Sequence, residues 1–170
     1  MSRKRRNITA LTLTLAGLAT TAVLASPAHA AGATVTVGSF GNMSVVGTTG
    51  NDSIDINPFN GRVNVTSSLH SVTAGAGCVQ QGPNTASCSG VSTITVNVRP
   101  GEDTVRNNTS LFAEIFGSAG LDRLSGGSGR DILVGGSGDD VLNGNGGNDT
   151  TDGGPDSDTC TGETEVNCEL

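Results

Sequence analysis

From Gly117 onward the chain divides every nine residues into GSAGLDRLS, GGSGRDILV, GGSGDDVLN, GNGGNDTTD and GGPDSDTCT, opening at Gly117, Gly126, Gly135, Gly144 and Gly153. Each unit starts with glycine and carries aspartate at its sixth place: Asp122, Asp131, Asp140, Asp149 and Asp158. Chance would produce that aspartate register about once in a million. The eighth place holds Leu124, Leu133 and Leu142, then Thr151 and Cys160. One apolar side chain per unit, always in the same place, feeds a shared interior. That is the logic of a solenoid, in which each unit contacts only its neighbours. A flexible glycine-serine linker has no use for periodic aspartate and leucine.

The residue types point to a cation. Glycines let stacked turns approach closely, so that carbonyl oxygens can face an ion. Calcium takes six to eight hard oxygens, and one turn of bare backbone with one carboxylate supplies about half of them. Two stacked turns therefore make one site. A phosphate-cradling loop is excluded, because no P-loop lysine and no GxGxxG after a strand is present. An EF-hand loop cannot be placed either, since Asp156-Ser157-Asp158 lacks the central glycine and the distal glutamate.

The GGxGxD pattern followed by three strand residues resembles the RTX, or haemolysin-type, nonapeptide repeat. The resemblance covers residues 117–161 and is of the small secreted Gram-positive type. It implies a right-handed parallel β-roll in which two nonapeptides make one coil and calcium sits between turns stacked on the same edge. Carried over, Asp122, Asp140 and Asp158 lie on one edge and Asp131 and Asp149 on the other, giving three complete sandwiches. Gly126, Gly127, Ser128, Gly129, Gly135, Gly136, Ser137, Gly138, Gly144 and Gly146 would shape the turns and lend them their carbonyls. Strands are expected at 123–125, 132–134 and 141–143, with a slender core of Leu124, Ile132, Leu133, Val141 and Leu142. Coils stack about 4.8 Å apart, and two carboxylates at about 5 Å repel by roughly 3 kcal/mol at an effective dielectric of 20. Against so thin a core, the roll is expected to be largely disordered without calcium.

Three departures from the repeat stand out: Ser118-Ala119 in the first unit, Asn145 in the fourth and Pro155-Asp156 in the last. Asn145 tolerates a left-handed backbone, so the fourth turn is expected to be sound and the two outer turns less regular. Upstream, Gly47, Gly50, Asp52 and Ile54 form a fainter copy, and Gly101-Glu102-Asp103-Thr104-Val105 keeps the last part of another. Asp52 and Asp103 are read as turn residues, with a ligand role left open.

From Ala33 to Phe116 short runs alternate in period two: TVTV, MSVV, SIDI, RVNV, STITVNV and LFAEIF. They read as strands of an irregular β-solenoid over residues 31–116, continuing the same stack. No amphipathic helix is expected after residue 30. The fold class is thus all-β throughout, with the regular roll over 117–161 and a cap over 162–170.

Arg3, Lys4, Arg5 and Arg6, the apolar run Ile8–Leu24 and Ala28-His29-Ala30 read as an export signal, residues 1–30, cut after Ala30. Arg5-Arg6 leaves twin-arginine export open. An exported chain makes two disulfides of its four cysteines. Three pairings exist, and proximity favours Cys78 with Cys88, within a loop, and Cys160 with Cys168, closing the C-terminal cap. Four of the nine basic residues lie in residues 1–30 and all sixteen acidic ones beyond, leaving a net charge of −11 for residues 31–170. Such a surface suits cations and disfavours nucleic acid and anionic membrane.

Beyond residue 30 the one histidine is His70, and its neighbours offer no triad spacing. Paired acids could serve glycoside hydrolysis, yet the chain has four phenylalanines and no Trp or Tyr with which to line a cleft. The sequence therefore reads as a secreted, non-enzymatic calcium-binding protein. A calcium-rigidified adhesion module is the alternative, and a polysaccharide-active β-solenoid enzyme the lesser one.

Overall fold

The computed structural model describes residues 32–169, and the segment read as an export signal lies outside them. Every regular element among the described residues is a strand. The first eight are β1 Ala33–Val37, β2 Asn42–Val46, β3 Ser53–Phe59, β4 Arg62–Ser67, β5 Val72–Ala74, β6 Cys78–Gly82, β7 Thr85–Cys88 and β8 Thr93–Asn97. The second eight are β9 Thr104–Asn107, β10 Phe112–Ala119, β11 Arg123–Ser125, β12 Asp131–Ser137, β13 Val141–Asn143, β14 Thr150–Asp152, β15 Thr159–Thr161 and β16 Thr164–Val166.

From β8 onward the chain alternates between two sheets, each strand pairing in parallel with the strand two places on. One ladder runs β8, β10, β12, β14, β16 and the other β9, β11, β13, β15. Two nonapeptides thus form one coil. The eighth-place residues stack in register: Val105, Leu124, Leu142 and Cys160 in one sheet, and Ile115, Leu133 and Thr151 in the other. All but Cys160 are fully buried. Upstream the same columns continue through Ile54 and through Val45 and Val96, so a single core serves the whole described chain.

Two expectations need correction here. Ile132 and Val141 do not join the core; Ile132 is half-buried and Val141 is 42 % exposed. Side chains alternate across a strand, so once the eighth place faces inward the seventh must face outward. β11 and β13 have the expected three residues, whereas β12 runs on to Ser137 because Gly136 and Ser137 pair with Ser118 and Ala119.

The N-terminal half continues the stack, but not as a pure parallel solenoid. β1 pairs antiparallel with β2, β3 with β4, β4 with β7 and β6 with β7. Asn60-Gly61 turns the β3–β4 hairpin with both residues at positive φ, the conformation that suits a tight hairpin. The Cys78–Cys88 disulfide joins directly opposed residues of the β6–β7 hairpin, not the ends of a loop. Cys160 bonds Cys168. Residues 162–170, expected to cap the roll, also add a strand to it, β16 against β14.

Candidate metal centre

Each repeat aspartate opens a strand or lies just before one, and its carboxylate folds inward. Asp122, Asp131, Asp140, Asp149 and Asp158 are all at most 1 % exposed. They form two columns. Along the first edge the Asp122 amide donates to Asp140 Oδ1 and the Asp140 amide to Asp158 Oδ1, both at 2.8 Å. Along the second edge the Asp131 amide donates to Asp149 Oδ1 at 2.8 Å. Every rung is thus tied to the next by a charge-assisted hydrogen bond.

The other carboxylate oxygen is what gives the columns their chemistry. Oδ2 of Asp122, Asp140, Asp149 and Asp158 is buried and makes no hydrogen bond. Asp131 Oδ2 accepts the Gly127 amide at 2.6 Å. Burial without full pairing disfavours the charged form. It pushes Asp131 and Asp140 up to about 6, against the lowering effect of their backbone hydrogen bonds, and raises Asp122 and Asp158 in the same way.

The first glycine of each unit leaves room for this arrangement. A Cβ on Gly126 would stand 2.6 Å from Asp131 Oδ2 and 2.7 Å from the Gly144 carbonyl. One at Gly135 would meet Asp140 Oδ2 and the Gly153 carbonyl, and one at Gly117 would meet Asp122 Oδ2 and the Gly135 carbonyl. In each case a carboxylate and a carbonyl of the next coil converge. Those three convergences fall at the three same-edge pairs of turns. Among the described residues no three His, Cys, Asp or Glu side chains gather at one point, so a cation here must draw much of its shell from carbonyls.

The outer turn residues stack closely. Gly136 and Gly138 have φ of +118° and +115°, and a Cβ on either would strike the carbonyl of Ser118 or Gly120 one coil away. Ser118, Asn145 and Asp156 hold positive φ without being glycine. In the fourth unit the left-handed residue after Asn145 is Gly147, not Gly146. Ser128 donates its amide to Thr109 in the coil before, and the Ser137 carbonyl accepts from Gly120.

Four acidic residues outside the nonapeptide register extend the columns. The Asp52 amide donates to Asp103 Oδ1 at 2.6 Å and the Asp103 amide to Asp122 Oδ1 at 2.8 Å, so both join the first column. Asp103 is pushed up to about 7, chiefly by burial. At the other end Glu169 accepts from Asp158 and Glu163 from Asp149, each at 2.7 Å. The second column starts at Asp131, since the residues stacked before it are Met43, Ile94 and Ala113.

A parallel two-sheet solenoid with a row of inward carboxylates on each edge defines a cation-binding β-roll. Residues 114–160 match the family model of the RTX calcium-binding nonapeptide repeat in four copies, over 114–141 and 125–160. That part of the chain is therefore an RTX calcium-binding repeat region. No curated protein and no solved structure matches the chain.

Proposed function

We propose that the protein is exported, loses residues 1–30 and acts outside the cell as a non-enzymatic calcium-binding protein whose roll folds as calcium binds. The observation that carries this reading is the row of buried, unpartnered carboxylate oxygens at Asp122, Asp140, Asp149 and Asp158. The ligands would be Asp122, Asp140 and Asp158 on one edge and Asp131 and Asp149 on the other, with carbonyls of the stacked turns. Bound calcium supplies the positive charge and the wide oxygen shell that these groups lack. Residues 117–170 carry eight Asp and three Glu against Arg123 and Arg130, a net of −9, which three calcium ions would reduce to −3. The aspartates are sealed in columns, where an oxygen can serve an ion but not a polymeric substrate.

Extracellular calcium modules bind at about 0.1–1 mM, and a hundredfold excess over the dissociation constant adds about 2.7 kcal/mol of stability. Calcium titration followed by far-ultraviolet circular dichroism tests the reading. Chelated protein should lose much of its strand signal and regain it cooperatively with calcium. A spectrum indifferent to calcium would refute coupled folding.

An adhesion role gains support from one surface. Phe59 and Val79, both more than half exposed, share a shallow cavity of about 480 Å³ with Arg62, Asn64 and Gln81. An exposed apolar pair rimmed by polar groups suits a partner, and it lies on the N-terminal strands of the sheet that the calcium roll continues.

A further inference from the structure

Beyond residue 30 the chain carries a net charge of −11, yet a cavity of about 440 Å³ at the N-terminal end of the first column has no Asp or Glu in its lining. Its walls come from four separate segments: Thr34 on β1, Thr49 in the turn after β2, His70 before β5 and Arg99 after β8. Val46 is the one lining residue with a sizeable apolar side chain. A polar cavity that offers two cationic groups and no carboxylate suits an anion.

Both cationic groups are held for that use. His70 Nδ1 forms an ion pair with the buried Asp52 carboxylate at 3.4 Å. In that pair the imidazole carries both protons, so Nε2–H, on the far side of the ring from Asp52, remains a donor. The Asp52 charge is taken up inside the protein, by His70 and by the amide and hydroxyl of Thr48 at 2.6 and 3.2 Å. Arg99 forms no ion pair among the described residues, whereas Arg106 pairs with Asp55. It also stands at the second place of its turn with φ of +68°, where Gly136 and Gly154 stand in later turns. Glycine adopts that conformation more easily than arginine, so the turn bears a strain that a working guanidinium explains.

Donors on four segments surround a ligand instead of forking a plane. A carboxylate offers two oxygens and matches one guanidinium fork, whereas a phosphate- or sulfate-type group presents three or four oxygens in a tetrahedron. We propose that Thr34, Thr49, His70 and Arg99 form a binding site for a tetrahedral oxyanion, phosphate or sulfate, either free or as the end group of a larger molecule. A water occupies about 30 Å³, so a five-atom oxyanion leaves most of the cavity open to a carrier.

The test is a nuclear magnetic resonance titration in saturating calcium, with glycerol 3-phosphate as the ester and sulfate as the free ion. Both should give saturable shifts centred on Thr34, Thr49, His70 and Arg99. Tighter binding of the ester would assign the rest of the cavity to its carrier, and equal binding would assign the site to the oxyanion alone. Arg99→Gly relieves the left-handed turn, so it should keep the calcium-dependent fold and weaken binding at least about tenfold, as loss of a charge-assisted hydrogen bond does. Arg123→Ala removes the same charge from the exposed face of β11 and should leave the affinity unchanged. Should Arg99→Gly fail to fold, the shift map of the unmodified protein decides alone. Unsaturated or scattered shifts in calcium excess, or equal weakening in the two variants, would overturn the site. The calcium reading would stand in either case, since calcium-induced folding is recorded before any anion is added.

Discussion

Asp131 and Asp149 stand eighteen residues apart, yet the amide of one donates to the carboxylate of the other at 2.8 Å. The same bond joins Asp122 to Asp140 and Asp140 to Asp158. A nine-residue period therefore becomes an eighteen-residue contact, because successive turns fall on opposite edges. Each aspartate holds two neighbours at once: its amide ties it forward, and its carboxylate is tied backward.

Replacing Asp131 by asparagine should raise the calcium midpoint. Its Oδ2 accepts the Gly127 amide and its Oδ1 the Ala113 amide, so an NH₂ in place of either oxygen leaves one buried donor unmatched. That costs about 1–3 kcal/mol, or roughly 5- to 150-fold in a coupled equilibrium. Asp156→Gly removes the same unit of charge at an exposed turn with φ of +88°, where glycine is the easier residue, and should leave the midpoint almost unmoved. Equal shifts in calcium titrations of the two variants would assign the effect to bulk charge and not to the columns.

Gly126→Ala should destabilise the roll by about 1–3 kcal/mol, as overpacking does, because its Cβ would be 2.6 Å from Asp131 Oδ2 and 2.7 Å from the Gly144 carbonyl. Gly82 offers the control, since a Cβ there meets nothing within 4 Å. Gly82→Ala should be neutral or slightly stabilising through the unfolded chain. Urea melts in calcium would separate the two.

The columns were legible where the period was strict and hidden where it broke. The sixth place of the nonapeptides is aspartate in all five units and the eighth is leucine in the first three, and together they fix which residues face inward. Ile132 and Val141 misled because an apolar residue at the seventh place looks like core until strand alternation is applied. Asp103 stacks on Asp52 from 51 residues away, because two hairpins are inserted between their coils. Its turn also carries Val98 and Arg99 at the first two places, where most downstream units have glycine, and Arg99 nonetheless holds φ of +68°. The sequence shows only the last part of that copy, Gly101 to Val105, and stacking on Asp52 and Asp122 supplies the rest. Glu163 and Glu169 fall outside any register, so only stacking brings them to the column ends.

Without calcium, stability should fall as pH rises. Burial puts Asp103 at about 7 and Asp131 and Asp140 at about 6, and raises Asp122 and Asp158. A carboxyl whose folded value lies above its unfolded one of about 4 binds its proton more tightly in the folded state. Its contribution is complete below about pH 4 and is lost as pH climbs through 6 to 7. Bound calcium favours the charged form and reverses that slope. Thermal melts between pH 4 and 8, in chelator and in calcium, should therefore show opposite trends. A chelated protein that gained stability toward pH 8 would contradict the burial of these groups.

The C-terminal glutamates pose a sharper question, since each stands where the next aspartate of its column would be. Glu169 Oε2 accepts the Asp158 amide, a donor on a residue only 1 % exposed, and the Cys160–Cys168 disulfide holds the neighbouring chain in place. If Glu169 serves only to satisfy that amide, glutamine does the same work, since its carbonyl oxygen is an equal acceptor. Glu169→Gln should then keep both stability and calcium stoichiometry, while Glu169→Ala loses about 1–3 kcal/mol by leaving the amide unpaired. If the glutamate instead completes a cation site with Asp158, glutamine removes the charge that site needs, and the count of bound calcium drops by one without unfolding the roll. The exposed position of Glu169 favours the first outcome, because water already solvates its charge and an ion would have to compete for it. Equilibrium dialysis with calcium, paired with denaturant melts of both variants, reads the two possibilities on separate axes. A Gln variant as unstable as the Ala variant would mean that neither the hydrogen bond nor the ion site accounts for the cap.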